Sequence, residues 1–403
     1  MAEWRKKCLG EITSFMSKGI PPKYVERENE NTVRVLNQKC NRNFEINYEE
    51  SRLHDCSKKK VPADKMLQPG DVLINSTGTG TAGRVAQLYD VPKPTTIDGH
   101  MILLRPTEEI ASIYYGYAVK AFQPKIETLA EGSTGQTEIN RKRLQEEIVI
   151  SFPKEKETQE RIARFLLNID KKIKVNDKIN KNLLEQALAI YKEWFYDYAL
   201  SDGVRPENWK ITTIDAISSL VTRGIAPKYD DGSDQIVLNQ KCIRDHTIDL
   251  SLARRHLPKK INEKWISKGD LLINSTGTGT LGRVAQVWFE ANNMTVDSHV
   301  TIVRPKDPIL QSYIGFWGLS HESEIEAQHT GSTGQTELPR DRVKAMELPL
   351  PDEDTLSKFN ELVIPMTSTV ISNQEENASL SQLRDALLPK LMSGELDVSD
   401  IDL

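Results

Sequence analysis

The chain is written twice, and this duplication constrains its fold more than any other feature. Asn75 to Gln87 recurs as Asn274 to Gln286 with one change, Ala82 becoming Leu281. Gly132-Ser-Thr-Gly-Gln-Thr-Glu138 recurs unchanged as Gly331 to Glu337, and both pairs are offset by 199 residues. Leu36-Asn-Gln-Lys-Cys40 recurs as Leu238 to Cys242 at an offset of 202. Gly19-Ile20 with Pro22-Lys23-Tyr24 recurs as Gly224-Ile225 with Pro227-Lys228-Tyr229 at 205. The offset falls along the chain, as small deletions in the second copy would make it do. A period near 200 residues is too long for a stacked solenoid, so the repeating unit is a whole domain with its connector.

Within each copy the residues predict a mixed α/β domain. Asp71 to Asn75 and Asp270 to Asn274 read as strands entering a glycine turn, with Arg84 to Tyr89 as the returning strand. His100 to Pro106 and His299 to Pro305 read as buried strands closed by proline, Glu108 to Phe122 has helical spacing, and Ile148 to Phe152 is a short final strand.

From Lys154 to Asp202 the chain has neither glycine nor proline. Ile162, Leu166, Ile169, Ile173, Asn176, Asn180, Leu183, Ala187, Ile190 and Trp194 alternate spacings of four and three, a heptad seam along roughly 50 Å of helix. The second copy repeats it at an offset of 197, from Phe359 through Asn373 and Asn377 to Leu391. Antiparallel packing of the two helices about a pseudo-twofold axis near residue 178 would set Asn176 opposite Asn377 and Asn180 opposite Asn373. Asparagine at a seam position weakens a helix pair but fixes its register, which is the role these four residues are given. Pro365 is expected to kink the second helix or to mark its start. The predicted organisation is therefore a globular domain over 1–153, a long helix over 154–202, a second domain over 203–351, a second long helix over 352–394 and an acidic tail over 395–403.

Charge and cysteine usage narrow the chemistry. Net charge is −5, but residues 352–403 carry 3 basic and 11 acidic side chains, so the rest is slightly basic and permits a local cationic groove. Cys8, Cys40, Cys56 and Cys242 form no CxxC pair, and no run of apolar residues is long enough to span a bilayer. The N-terminus lacks the apolar core of a secretory signal, so the expected location is the cytoplasm. There is no GxxxxGK[ST] phosphate loop and no Asn-Pro-Pro-aromatic tetrapeptide, so neither a nucleotide-driven motor nor an adenine methyltransferase centre is legible. Gly78-Thr-Gly-Thr-Ala-Gly83 matches GxGxxG, yet a strand-like segment follows where a dinucleotide site needs a helix. Asp98-x-His100 and Asp297-x-His299 supply too few ligands for zinc and read as hydrogen bonds at strand ends. No catalytic residue and no metal ligand is assigned.

The groups suited to nucleic acid occur in both copies. Thr77, Thr79, Thr81 and Arg84, with Thr276, Thr278, Thr280 and Arg283, surround the glycine turn and suit a phosphate backbone. Ser133, Thr134, Gln136 and Arg141, with Ser332, Thr333, Gln335 and Arg340, offer hydroxyls, cations and an amide for an adenine edge. Lys23 and Tyr24, with Lys228 and Tyr229, join a cation to a ring. Asn37, Gln38 and Lys39, with Asn239, Gln240 and Lys241, offer amides for base edges. A purely structural hairpin and a helix-capping loop remain the alternatives at this stage.

Two α/β domains alternating with two long helices, the Gly-Ser-Thr-Gly-Gln loops, the helix end Tyr191-Lys-Glu-Trp-Phe195 and the run Leu383-Arg-Asp-Ala-Leu-Leu-Pro-Lys-Leu-Met-Ser-Gly-Glu395 resemble the type I restriction-modification specificity subunits. The resemblance implies two target recognition domains reading a bipartite DNA site, with the helices as a ruler for the spacer. It also implies two methyltransferase subunits that bind S-adenosylmethionine and methylate adenine, and motor-nuclease restriction subunits. Because the two copies are so alike, the half-sites are expected to be near-inverted repeats, with base preference differing through Asn41 to Lys65 and Ile243 to Lys264. A coiled-coil scaffold with non-specific DNA affinity and a stand-alone DNA methyltransferase are the rival readings.

Overall fold

The computed structural model describes residues 3–132, 137–257, 262–331 and 336–396. The chain forms two compact units, Met1–Ile173 with Ala378–Leu403, and Lys174–Asn377. Each holds one globular domain together with a stretch of both long helices.

Each domain is built on the apolar strands read from the sequence. In the first, Thr13–Lys18, Met101–Pro106, Val72–Asn75 and Val85–Gln87 lie side by side in that order, every pair antiparallel. In the second, Ser218–Arg223, Val300–Pro305, Leu271–Asn274 and Val284–Gln286 repeat the arrangement. Both faces of the inner strands are buried. One face packs on the helix Ser112–Ala121 through Tyr114, Tyr117 and Ala118, and the other covers a second core around Leu36, Leu73, Ile97 and Leu103. Such double burial explains why these strands are continuous apolar runs rather than alternating ones. A second sheet in the first domain orders Thr95–Ile97, Thr32–Leu36, Arg52–Asp55 and Tyr24–Val25, and its counterpart orders Met294–Val296, Ile236–Leu238 and Arg254–Arg255 among the described residues.

Sheet and helix approach closely at one duplicated glycine. A Cβ on Gly116 would lie 2.0 Å from Gln87 Oε1, and one on Gly315 would lie 1.8 Å from Gln286 Oε1. The glutamine amides donate to Ser112 and Gln311 carbonyls at 2.6 and 2.7 Å, tying the start of each helix to its sheet.

The long helices run Lys156–Phe195 and Glu353–Ser393. Within the unit Lys174–Asn377 they are antiparallel: Asn176 faces Asn377, Asn180 faces Asn373, and Phe195 packs edge-on against Phe359 with ring centroids 4.9 Å apart. Seam positions are buried or half-buried along both helices, and near the globular domains further positions such as Ala163, Tyr191, Phe195 and Leu388 are buried as well. Within the other unit, Arg384 bonds Asp170 at 2.7 Å, and Ile162 and Leu166 share a core with Leu391 and Met392.

Pro365 behaves differently from expectation as a helix start. The helix begins twelve residues earlier, where Asp352 caps it by accepting from Thr355 N at 2.9 Å, and it continues past the proline. Proline removes the N–H that Glu361 C=O would accept, but Pro365 and Glu361 both face solvent, where water takes the freed carbonyl. Val363 and Val370, buried on the opposite face, hold the helix through the defect.

Candidate nucleic-acid interface

Four of the duplicated motifs meet at one place in each domain. The glycine segment closes as a tight hairpin, with Asn75 N donating to Arg84 O at 3.0 Å and Gly83 N to Asn75 O at 2.9 Å. Gly78, Gly80 and Gly83 have φ of 117°, 70° and 89°, a region that admits glycine without strain. Strand Val85–Gln87 follows the hairpin, not a helix, so the pyrophosphate-binding geometry of a GxGxxG site is not built here.

The hairpin is gripped from its base. Asn75 Nδ2 donates to Gln38 O at 3.1 Å, drawing in the Asn-Gln-Lys turn, and Asn274 Nδ2 donates to Gln240 O at 3.0 Å. Thr77 and Glu138 form a β-bridge, as do Thr276 and Glu337, so the segment that ends the second polar motif pairs with the hairpin. Thr77 Oγ1 lies 2.8 Å from His100 Nδ1, and Thr276 Oγ1 lies 2.7 Å from His299 Nδ1. The Asp-x-His pairs are strand-end turns: Asp98 Oδ1 accepts from His100 N and Asp297 Oδ1 from His299 N, each at 2.9 Å. Burial raises both aspartate pKa values. Among the described residues no group of three His, Cys, Asp or Glu side chains is placed to hold a metal.

The predicted contact residues divide by what their side chains already do. Asn37 and Asn239 spend their amides on their own turns, accepting from Lys39 N and Lys241 N at 2.8 Å and donating to Glu50 O and Leu252 O. Thr79 and Thr278 sit exposed at the hairpin tips, beside Gly80 and Gly279, where an added Cβ would meet nothing within 4 Å. Thr81 and Thr280 fold inward against Gly78 and Gly277, and Thr280 Oγ1 donates to Thr276 O at 3.3 Å. Arg84 Nη2 donates to Gly80 O at 3.1 Å, bracing the hairpin from within; Arg283 occupies the matching, half-buried position. Lys39, Lys241, Arg141 and Arg340 are exposed, and Gln38 and Gln240 are half-buried. In the second domain Arg223, Lys264 and Arg340 line a cleft with Thr222 and Glu337. Ser133, Thr134, Gln136, Ser332, Thr333 and Gln335 lie outside the described residues.

Two residues that sequence reasoning did not single out join the site. Arg52 lies over the ring of Tyr24 with Cζ 3.4 Å from its centroid, and Arg254 lies over Tyr229 at the same 3.4 Å. Burial and the nearby Asp98 carboxylate raise the pKa of the Tyr24 phenol, and Arg52 opposes them. The signal that would have found them was present: both arginines sit at the 202-residue offset of the Asn-Gln-Lys turns.

Comparison with known proteins decides the family. Residues 1–185, the first copy with most of its helix, match the type I restriction modification DNA specificity domain, and the second copy repeats the motifs that lie in that span. The first copy is a type I restriction modification DNA specificity domain, and along its length the chain is similar to type I specificity subunits. Its role is that of the subunit that carries DNA sequence specificity. It is 24% identical over 379 residues to the type I restriction enzyme MjaIX specificity subunit of Methanocaldococcus jannaschii, covering 89% of this chain and 83% of that one. It is 21% identical to the HindI specificity subunit of Haemophilus influenzae, covering 98% of this chain and all of that protein. Its fold is similar to the crystal structure of the type I S subunit from M. genitalium, with a TM-score of 0.58, 16% identity, and coverage of 97% and 96% of the two chains. No helix among the described residues is long and apolar enough to cross a membrane.

Proposed function

We propose that each domain of this specificity subunit reads one half of a bipartite DNA site and that the long helices set the gap between the halves. The observation that carries this reading is the double occurrence of one polar constellation, in which hairpin, Asn-Gln-Lys turn, Asp-x-His turn and polar loop converge twice in one chain. A reader of a single site has no need of two such surfaces.

In this reading the hairpin tips at Thr79 and Thr278, with Arg84, Arg283, Lys39 and Lys241, meet phosphates, which position the protein without reading sequence. Lys23, Lys228, Arg141 and Arg340 add exposed cations around them. Gln38 and Gln240 address base edges, while Asn37 and Asn239 hold the turns that present them. Ser133, Thr134 and Gln136, with Ser332, Thr333 and Gln335, are assigned to the same surface from their sequence position. Catalysis belongs to partners: methyltransferase subunits carrying S-adenosylmethionine, which flip and methylate an adenine in each half, and restriction subunits that cleave. The complex would work where chromosomal DNA lies, in the cytoplasm. Because the two readers are near copies, their half-sites are near-inverted repeats.

The test is a methylome. The chain is co-expressed with a type I methyltransferase subunit, complex formation is verified, and methyladenine is mapped by long-read sequencing. A bipartite motif with a fixed gap and related, inverted halves is the expected result. Unrelated halves would remove the symmetry of the target, and a verified complex that leaves no new methylation would favour a non-specific scaffold.

A further inference from the structure

The four residues Arg52, Tyr24, Arg254 and Tyr229 carry an assignment that neither the motifs nor the relatives make. Tyr24 pairs with His54 across neighbouring strands, so Arg52, two residues earlier, lies on the same face at the diagonal position. Tyr229 bridges His256, which places Arg254 identically. Each arginine is also opposite a valine, Val35 or Val237, two residues before the Asn-Gln-Lys turn. The pairs are therefore fixed by backbone register and stand next to the site. All four side chains are exposed, with Tyr24 36% and Tyr229 43% accessible.

Exposure makes the arrangement informative. A guanidinium laid on a ring is held in one plane with its edge N–H groups directed outward, and its ordering cost is met before a ligand arrives. The arginines come from the two segments in which the copies differ most, 41–65 and 243–264, whereas the rings belong to shared motifs. This cation–ring pair keeps the same 3.4 Å geometry in both copies, and Arg42/Arg244 and His54/His256 are retained with it, while Asn41 gives way to Ile243 and Phe44 to His246. A lysine would serve a phosphate as a point charge; a planar fork with two parallel donors matches the O6 and N7 atoms of guanine in the major groove.

We infer that Arg52 on Tyr24 and Arg254 on Tyr229 are equivalent base readers, each specifying a guanine at the corresponding position of its half-site. The inference rests on the two-reader function proposed above. The tyrosines are positioning residues that hold the guanidinium plane.

The experiment uses the full chain in complex with the methyltransferase subunit and compares methylomes of wild type, Arg52→Lys, Arg52→Ala and Arg254→Lys. The expected wild-type motif has guanine at matched positions of the two halves. Arg52→Lys keeps the charge but should relax discrimination at one of these positions by roughly 10- to 100-fold, leaving the other half unchanged; Arg254→Lys should do the converse. Arg52→Ala should relax the same position as Arg52→Lys. An unaltered motif with uniformly lower occupancy would mark a phosphate contact and overturn the inference, as would a bipartite wild-type motif without matched guanines. A wild-type complex that methylates without a bipartite motif would instead overturn the underlying two-reader function, and this inference with it.

Discussion

Asn373 Nδ2 donates to Asn180 Oδ1 at 2.8 Å, and one helical turn away Asn176 Nδ2 donates to Asn377 Oδ1 at 2.9 Å. Polar groups thus meet polar groups in the middle of a mostly apolar seam. We propose that they fix helix register, because any slip would bring an amide against an aliphatic side chain. Replacing Asn373 alone by leucine should lower stability by about 1–3 kcal/mol, since Asn180 loses its partner in a half-dry environment. The double change Asn180→Leu with Asn373→Leu should recover most of that loss. Urea denaturation of the four proteins of this double-mutant cycle measures the coupling, and additive effects would refute the pairing as an energetic unit.

Lys120 is one of the positions where the two domains differ around their cores. Its ammonium lies 4.3 Å from the Phe44 ring, near Asp170, Arg384, Asp385 and Glu45. The second copy has Leu319 at the matching position. Burial lowers the Lys120 pKa to about 8 from its ordinary 10.5, with the Arg384 charge adding to the effect and the acidic neighbours opposing it. Between those values the unfolded chain binds more protons than the folded one, so this group makes stability rise with pH from about 8 to about 10.5. Below pH 8 the charged form is buried at a constant cost. Lys120→Leu should therefore be at least as stable as wild type at pH 7 and should lose the alkaline rise. Thermal unfolding across pH 7–10 would show it; an unchanged pH profile would contradict it.

Arg84 and Arg283 test the phosphate assignment of the hairpins. Each replacement by alanine should weaken binding to all DNA sequences alike and reduce the slope of log K against log salt by about one unit. An unchanged slope would mean that Arg84 serves only to brace Gly80 O.

The backbone plan was legible because it rests on patterns with a single outcome. Runs such as Val72-Leu-Ile-Asn75, repeated with their glycine turns, are buried strands by necessity, and a four-three spacing without glycine or proline has only a long helix to form. The Asn-Asn contacts followed from that spacing once the helices were set antiparallel. What escaped depends on placement across elements. Arg52 meets Tyr24 through a diagonal strand register that no local pattern announces. The Lys120–Asp170–Arg384 neighbourhood gathers three separate helices, Ser112–Ala121 and the two long ones. Pro365 does not mark the helix start, because Asp352 caps the helix upstream and buried Val363 and Val370 on the far side carry it past the lost hydrogen bond.

The clamp at the base of each hairpin has a consequence for how such a protein can change over generations. Asn75 and Asn274 grip Gln38 and Gln240 by their main-chain carbonyls, not by their side chains. Nothing in that grip asks what the gripped residue is. The frame is addressed through atoms every residue possesses, whereas recognition is written in atoms that differ from residue to residue. Substitutions at the turn can therefore drift or be selected for a new target while the scaffold that displays them stays folded.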